Sequence, residues 1–219
     1  FFVRDAVRAA ADFLVLIERF VVFVLALGDF FVVAMQILYH ERCYTGSMSE
    51  IATLGGGCYW CLDAFYRQVK GIVSVASGYA GGHTQHPTTS QVYTGTTGHA
   101  EVVQLTYNPN IISFHDILEI FFVMHDPTTL NRQGNDVGEW YRSIILYRDE
   151  DQRKASESMI ADFASKLYTD PIVTELAPFD TFWPADDDMQ DFYAKNPSAG
   201  YCMIVINPKI QKLRQKFSQ

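Results

Sequence analysis

Residues 51–61 read IATLGGGCYWC, an apolar run followed by three glycines and by two cysteines that enclose an aromatic pair. The apolar run predicts a short buried strand, and the sequence LDAFYRQ at 62–68 is typical of a helix. The glycines predict a tight turn between them. Cys58 therefore lies at the start of a helix, where unpaired backbone N–H groups favour an anion, and we expect this position to promote its reactive thiolate form.

The composition fits one folded domain, most simply a monomer. A chain of 219 residues is long enough for a real hydrophobic core. Its 17 basic and 25 acidic side chains give a net charge of −8, which argues against a nucleic-acid surface or an anionic membrane face as the main partner. Four cysteines, at 43, 58, 61 and 202, are too few for a disulfide-stapled scaffold. The composition therefore favours cysteine chemistry.

Residues 1–47 are mostly apolar, but charged residues interrupt them. Glu18, Arg19 and Asp29 break the apolar stretch, and its longest uncharged run, residues 30–40, is too short for a membrane span. The mixture of acidic and basic residues also differs from the pattern of secretory and transit peptides. A membrane location is therefore not expected.

Met48 offers a natural start for a protein whose first strand begins at about Ile51. We interpret residues 1–47 as an apolar extension, either non-native upstream sequence or a targeting or anchor segment, and residues 48–219 as the folded domain. A cytoplasmic location is expected unless the extension is a genuine targeting segment, which would indicate an organelle. Sequencing or intact-mass measurement of the native product would distinguish these interpretations.

Strand and helix patterns alternate from Met48 onward. The predicted strands are 51–54, 72–82, 100–107, 141–147 and 172–176, and the predicted helices are 58–69, 113–125 and 149–167. A long loop with one helical turn is expected at 83–98, and a mostly irregular C-terminal tail from Phe182, with short helices near Gln190 and the end. This order predicts an α+β two-layer sandwich, with a mixed sheet, helices on one side and a ferredoxin-like core.

A Cys-x-x-Cys pair is by itself ambiguous between a redox pair and half of a zinc site. Zinc would need a second ligand pair, but Cys43 and Cys202 stand singly and the six histidines form no helical ligand pattern. Haem attachment would need a histidine where Leu62 stands. We therefore expect a redox pair without a metal, and a zinc-binding interaction module is the non-enzymatic alternative.

Three further features are candidates for a site. Tyr59 and Trp60 are bulky where a general disulfide exchanger keeps a small turn, so they are either core residues or the wall of a pocket. Glu101 enters a strand among apolar neighbours, and burial there would raise its pKa and make it a general acid; the alternative is a solvated strand face. Asp136 and Tyr141 belong to a loop dense in hydrogen-bonding groups, and either could face the pocket.

Several short motifs occur together in one order. They are GCYWC at 57–61, GYAGG at 78–82, GHAE at 98–101, HDPT at 125–128, NRQGND at 131–136, YRS at 141–143 and KNP at 195–197. With these motifs, which run from about Ile51 to Phe217, the chain resembles the type A peptide methionine sulfoxide reductases. Residues 48–219 would then be a catalytic domain that reduces methionine-S-sulfoxide, in proteins and in free form, as repair of oxidative damage.

The resemblance also implies roles for individual residues. Cys58 would be the nucleophile and Glu101 the acid that protonates the sulfoxide oxygen, with Asp136 and Tyr141 as polar supports. The substrate-binding residues would be Tyr59, Trp60 and His99, of which the first two would hold the S-methyl group.

Two positions depart from the family pattern. The family usually has Phe at Tyr59, so this chain adds a hydroxyl. It often has an oxygen-binding Tyr at Thr89, and its loss should slow the reaction.

The chemistry agrees with the residue types. A sulfoxide sulfur is a poor electrophile until its oxygen is protonated, so a thiolate needs a nearby acid and an apolar cradle. Attack leaves a sulfenic acid on Cys58, which a second thiol converts into a disulfide. The resolving thiol is either Cys61, which we favour, or Cys202 on the tail.

No bound cofactor is expected, and thioredoxin or another dithiol would be the reductant. The alternative function is a general thiol–disulfide oxidoreductase that uses Cys58 and Cys61, although it leaves Glu101 without a purpose.

Overall fold

The computed structural model describes residues 49–217, so the extension predicted at 1–47 lies outside the described residues. Numbered in chain order, the strands are β1 (Glu50–Gly56), β2 (Ile72–Ala80), β3 (Ala100–Tyr107), β4 (Arg132–Gln133), β5 (Asp136–Val137), β6 (Ser143–Tyr147), β7 (Glu175–Pro178) and β8 (Phe182–Pro184). Six of them form one sheet in the order β7-β6-β1-β3-β2-β8, while β4 and β5 form a separate hairpin. Only β6 and β7 pair in parallel, so the sheet is mixed, as predicted.

The helices include two π-helical segments. The α-helices are α1 (Tyr59–Tyr66), α2 (Thr89–Val92), α3 (Phe114–Met124), α4 (Glu150–Ser158), α5 (Ser165–Leu167), α6 (Phe192–Lys195) and α7 (Asn207–Phe217). A 3-10 turn spans Glu139–Tyr141, and the π-helical segments are Met159–Ala164 and Cys202–Ile206. The start of α3 is fixed by a capping box, in which Ser113 Oγ accepts from the Asp116 N–H and Asp116 accepts from the Ser113 N–H.

The core has the predicted ferredoxin-like arrangement. The units β1-α1-β2 and β3-α3-β6 interleave, so that β3 lies between β1 and β2 and β1 lies between β3 and β6. Val103 and Leu105 join the larger hydrophobic cluster with buried residues of α1, α3 and α7. The alternate β3 residues Ala100 and Val102 join a smaller cluster. This alternation places the helices over one face of the sheet.

The C-terminal tail differs most from the prediction. Residues 202–217 are helical, and the residues that this segment buries are Cys202, Ile206, Ile210 and Leu213. Their spacing of three and four residues is helical, so the short helix expected near the end of the tail is longer than predicted. Within the described part of the chain, no helix has the length and apolar character that a membrane crossing needs.

Gly57 makes the turn between β1 and α1 possible. Its φ is +94°, and a Cβ atom placed there would lie 2.5 Å from Gln133 Cγ. A side chain at this position would therefore be strained twice, by the backbone and by contact with the loop that carries Asp136.

We predict that Gly57→Ala lowers the free energy of unfolding by about 1–3 kcal/mol, because a residue with a side chain pays for the left-handed backbone. Gly134→Ala is the matched control: its φ is +61°, but a Cβ atom placed there would have no other atom within 4 Å. Urea unfolding should show the larger loss for Gly57→Ala. Equal losses would contradict the contact with Gln133.

Candidate active site

Cys58 lies where the sequence placed it, but its pKa moves in the opposite direction. It is the N-cap residue of α1, directly after Gly57, and is 7% exposed. Burial raises its pKa, and the nearby Glu101 and Cys61 raise it further, while hydrogen bonds from Tyr201 and the helix backbone only partly oppose them. The prediction that the helix start promotes the resting thiolate is therefore wrong as a net effect, because desolvation outweighs the backbone N–H groups.

Glu101 is a fully buried carboxyl group, as predicted. It is 0% exposed on β3, and it accepts hydrogen bonds from the Tyr59 backbone N–H at Oε2 (3.0 Å) and from the Tyr93 hydroxyl at Oε1 (2.8 Å). Burial raises its pKa to about 7, and a hydrogen bond with Cys58 acts in the opposite direction. Glu101 therefore holds a proton near neutral pH and lies next to the thiol.

Gly55 allows this carboxyl to approach the cysteine helix. A Cβ atom on Gly55 would lie 2.7 Å from the backbone oxygen of Glu101, so a larger residue in β1 would push β3 away. The close approach lets the first turn of α1 donate its Tyr59 N–H to the carboxyl group, as helix N-termini do for anions.

Tyrosine hydroxyls surround the acid. Tyr141 ends the 3-10 turn before β6, and burial, with Glu101 and Cys58 nearby, raises its pKa to about 12. Tyr93 stacks on Trp140, with ring centroids 5.2 Å apart, and its ring lies 6.4 Å from that of Tyr141. Both hydroxyls remain protonated at neutral pH and can donate hydrogen bonds. One carboxylic acid and two phenol groups therefore lie together at this site.

Tyr93 is a site residue that the sequence reasoning missed. Thr89, where the family resemblance implies a tyrosine, hydrogen-bonds the Tyr79 hydroxyl at 2.8 Å. Tyr93 follows four residues later, one helical turn away, and it supplies the hydroxyl that reaches Glu101. Its helical spacing from Thr89 is the signal that would have identified it.

Asp136 and the two cysteines meet at Tyr201, which the sequence reasoning also missed. The Tyr201 hydroxyl donates to Asp136 Oδ2 at 2.7 Å and lies 3.8 Å from Cys61 Sγ. It also hydrogen-bonds Cys58. The hairpin β4-β5, the C-terminal tail and the start of α1 therefore converge on one hydroxyl group.

Trp60 and Tyr59, the two aromatic residues between the cysteines, have different surroundings. Trp60 is partly buried, stacks on Phe192 with centroids 3.7 Å apart, and has the edge of Tyr201 at 5.8 Å. Tyr59 is only 1% exposed, and its hydroxyl lies 3.3 Å from that of Tyr79. Trp60 is thus placed to form a pocket wall, whereas the added hydroxyl of Tyr59 belongs to the core.

His99 holds a loop. Its Nδ1 accepts from the Gly82 N–H at 3.1 Å, and its Nε2 donates to the Thr84 carbonyl at 2.7 Å. With both ring nitrogens occupied by backbone, the geometry assigns His99 a structural role in place of the expected contact with a substrate.

Cys202 is buried in the π-helical segment of the tail. Burial alone raises its pKa, whereas the pKa values of Cys58 and Cys61 are both affected by Tyr201. The structure thus brings Cys58 and Cys61 together. The residue of the tail segment 201–202 that acts on both thiols is Tyr201, and not Cys202.

A buried acid next to a thiol suits the reduction of a polar, weakly electrophilic chemical group. Comparison with known proteins identifies the enzyme family. The family model described as peptide methionine sulfoxide reductase matches residues 50–219. The chain belongs to this family. It is an oxidoreductase of the MsrA type, and such reductases act on methionine sulfoxide.

Sequence relatives and solved structures agree with this assignment. The reductase is 56% identical over 168 residues to the peptide methionine sulfoxide reductase MsrA of Saccharolobus solfataricus, covering 77% of this chain and 94% of that protein. It is 47% identical to the Thermus thermophilus MsrA, covering 77% and 95%. The structure of Mxr1 from Saccharomyces cerevisiae in reduced form is similar, with a TM-score of 0.63, 31% identity and coverage of 70% of this chain and 89% of Mxr1.

Methionine sulfoxide reductase A of Corynebacterium diphtheriae has the same fold as this reductase. The TM-score is 0.63 at 32% identity, with 70% of this chain and 77% of that chain covered. The predicted α+β fold is therefore confirmed by solved members of the family as well as by the strand order described above.

We predict that Tyr93→Phe moves the alkaline limb of kcat/KM to higher pH by about one unit. The lost hydroxyl stabilises the Glu101 carboxylate, so its removal raises a pKa of about 7, and a group that must be protonated then stays active to higher pH. The control is Tyr147→Phe. Ser143, at one end of β6, pairs with Gly56 near the site, and Tyr147 lies at the other end of that strand. An alkaline limb that stays in place would contradict a catalytic contact for Tyr93.

Proposed function

We propose that the chain reduces the S epimer of methionine sulfoxide, in proteins and in free form, through a sulfenic acid on Cys58 and a disulfide with Cys61. Thioredoxin or another dithiol would reopen that disulfide. The observation that carries this proposal is the buried carboxyl of Glu101, which has a pKa of about 7 and interacts with the Cys58 thiol. A sulfoxide oxygen must be protonated before the substrate sulfur can be reduced, and Glu101 can supply that proton.

In the first step, oxygen passes from the substrate sulfur to Cys58. The Cys58 sulfur forms a bond to the substrate sulfur while Glu101 protonates the sulfoxide oxygen, and the thiol proton restores Glu101. The hydroxyl group then passes to the Cys58 sulfur as the substrate S–O bond and the new S–S bond break. The oxygen, now bonded to the Cys58 sulfur, retains the proton from Glu101. The substrate sulfur is reduced to the thioether and Cys58 is oxidised to the sulfenic acid, so methionine is released without a cofactor.

The raised pKa of Cys58 suits this sequence. A permanent thiolate beside Glu101 would repel its carboxylate, and burial disfavours both charges. A neutral thiol and a neutral acid can coexist in the dry site until the sulfoxide oxygen accepts the proton. Tyr93 and Tyr141 then donate hydrogen bonds to the negative charge that develops at oxygen.

The aromatic residues beside Cys58 support a methyl sulfoxide as the substrate. Trp60, backed by the stacked ring of Phe192, offers a flat apolar surface next to Cys58. We propose that this surface holds the S-methyl group, and that Tyr59 supports it from the core. The choice of the S epimer rests on the family resemblance.

In the second step, Cys61 attacks the sulfenic sulfur of Cys58. Cys61 is the third residue of α1, and its N–H donates to the Cys58 carbonyl at 3.1 Å. Tyr201 affects the pKa of both thiols, and the nearby Cys61 raises the pKa of Cys58. These contacts favour Cys61 over Cys202 as the resolving thiol.

The test of this function is epimer-resolved turnover of a methionine sulfoxide peptide with dithiothreitol. We expect turnover of the S epimer only, no turnover by Cys58→Ser, and a loss of about 10²- to 10⁴-fold in Glu101→Gln, since the amide cannot supply the proton. Insulin-disulfide reduction at a rate that Glu101→Gln leaves unchanged, without sulfoxide turnover, would instead indicate a general oxidoreductase.

The resolving thiol can be mapped after one equivalent of substrate. We expect mass spectrometry to find a Cys58–Cys61 disulfide, and Cys61→Ser to accumulate sulfenic acid while Cys202→Ser still forms the bond, because Tyr201 approaches the site and Cys202 is packed into the core. A Cys58–Cys202 bond as the sole product would contradict the assignment.

A further inference from the structure

Lys209 of α7 reaches the sulfur of Cys61. Its Nζ lies 3.6 Å from Cys61 Sγ, across 148 positions of sequence. Cys61 is 1% exposed, so this contact is made inside the protein. A lysine ammonium needs a compensating partner when it is partly buried, and here that partner is a thiol that can become an anion.

The contact distinguishes one cysteine from the other. Tyr201 touches both sulfurs and Asp136, so its hydroxyl cannot favour either cysteine on its own. The Lys209 ammonium lowers the pKa of Cys61. The charged group with the largest effect on the pKa of Cys58 is Glu101, which raises it and so disfavours a thiolate there. The two thiols therefore face opposite charges.

No carboxylate among the residues that the structure describes lies within ion-pair distance of Lys209. Its positive charge is also felt by the buried His125, whose pKa is lowered to about 4, first by burial and then in part by Lys209. His125 is therefore neutral at physiological pH and does not compete for the lysine. The ammonium remains available to the Cys61 sulfur.

We propose that Lys209 makes Cys61 the resolving nucleophile by stabilising the thiolate that its sulfur must become when it attacks the oxidised Cys58. This inference rests on the proposed function and names a residue for its second step. The Cys61 thiolate attacks the Cys58 sulfenic sulfur, the S–O bond breaks, and hydroxide leaves and is protonated to water. Cys61 is oxidised, the Cys58 sulfur is reduced, and Lys209 keeps its charge throughout.

Several titratable groups face Cys61 besides Lys209. Burial raises the pKa of Cys61 above its ordinary value. Lys209 and Tyr201 oppose this rise without cancelling it, and Asp136 adds to it. Cys58 is the third such group, and it carries a negative charge only as a thiolate. Among these groups only Lys209 is a cation, so its removal shifts the balance in one direction.

The experiment separates the two steps in a single turnover. Released methionine reports the first step, and trapping of the remaining sulfenic acid with dimedone reports the second. If the pKa of Cys61 rises by about one unit, its thiolate fraction falls about tenfold, but each thiolate becomes about threefold more nucleophilic. Lys209→Met should therefore form the disulfide roughly three- to tenfold more slowly. Its pH midpoint for disulfide formation should also rise by about one unit.

Lys209→Arg should restore both rate and midpoint, because it returns a cation, and a merely structural role for Lys209 would not produce a shift of the midpoint. Lys154→Met, which removes an exposed lysine on α4, is the matched control. If Lys209→Met does not fold, Lys209→Gln takes its place, with pH-dependent alkylation of the Cys61 peptide as a second measurement in Cys58→Ser protein.

Disulfide formation at the parental rate and midpoint in Lys209→Met would overturn this inference and leave the proposed function intact. Failure of the parent protein to release methionine would overturn the proposed function, and this inference with it. The first equivalent of methionine therefore distinguishes the two failures.

Discussion

The hydrogen bond from the Tyr59 backbone N–H to the Glu101 carboxyl is the contact on which the site depends. It joins the first turn of the cysteine helix to the middle of the sheet, and it can form only because Gly55 leaves room for β3 to approach. A buried carboxyl without such donors would be costly, and with more of them it would become a permanent anion. Two donors and a thiol leave its pKa at about 7, where it can both hold and release a proton.

The C-terminal tail contributes three residues that contact the site. Phe192 backs the indole of Trp60, Tyr201 links Asp136 to both cysteines, and Lys209 reaches Cys61. None of these residues touches Glu101 in the described contacts, so the acid and the thiol pair are supported from different parts of the chain. In the proposed mechanism, the oxygen chemistry relies on the sheet and the 3-10 turn, whereas the sulfur chemistry relies on the tail.

Local patterns predicted the elements whose cause is local. Strand 100–107 was identified by its alternation, and α3 begins one residue after the predicted cap Ser113. The hairpin β4-β5 was assigned to a loop because strands of two residues have no readable period. The π-helical segments and the tail depend on packing against α1 and α3, which a sequence pattern does not display.

The site shows the same division. Cys58 and Glu101 lie in short motifs, so sequence reasoning found them and the structure brings them together. The net pKa of Cys58 could not be predicted, because it depends on how much of the fold covers the sulfur. Tyr201 and Lys209 approach Cys61 from 140 and 148 positions away, and only tertiary packing sets that approach.

The position of both cysteines within one turn of α1 has a thermodynamic consequence. A bond between Cys58 and Cys61 closes a loop of four residues, which restricts the unfolded chain by only about 2 kcal/mol, whereas a bond to Cys202 would restrict it by about 5 kcal/mol. Opening and closing a Cys58–Cys61 bond would therefore change the stability of the fold by about 3 kcal/mol less than opening and closing a Cys58–Cys202 bond.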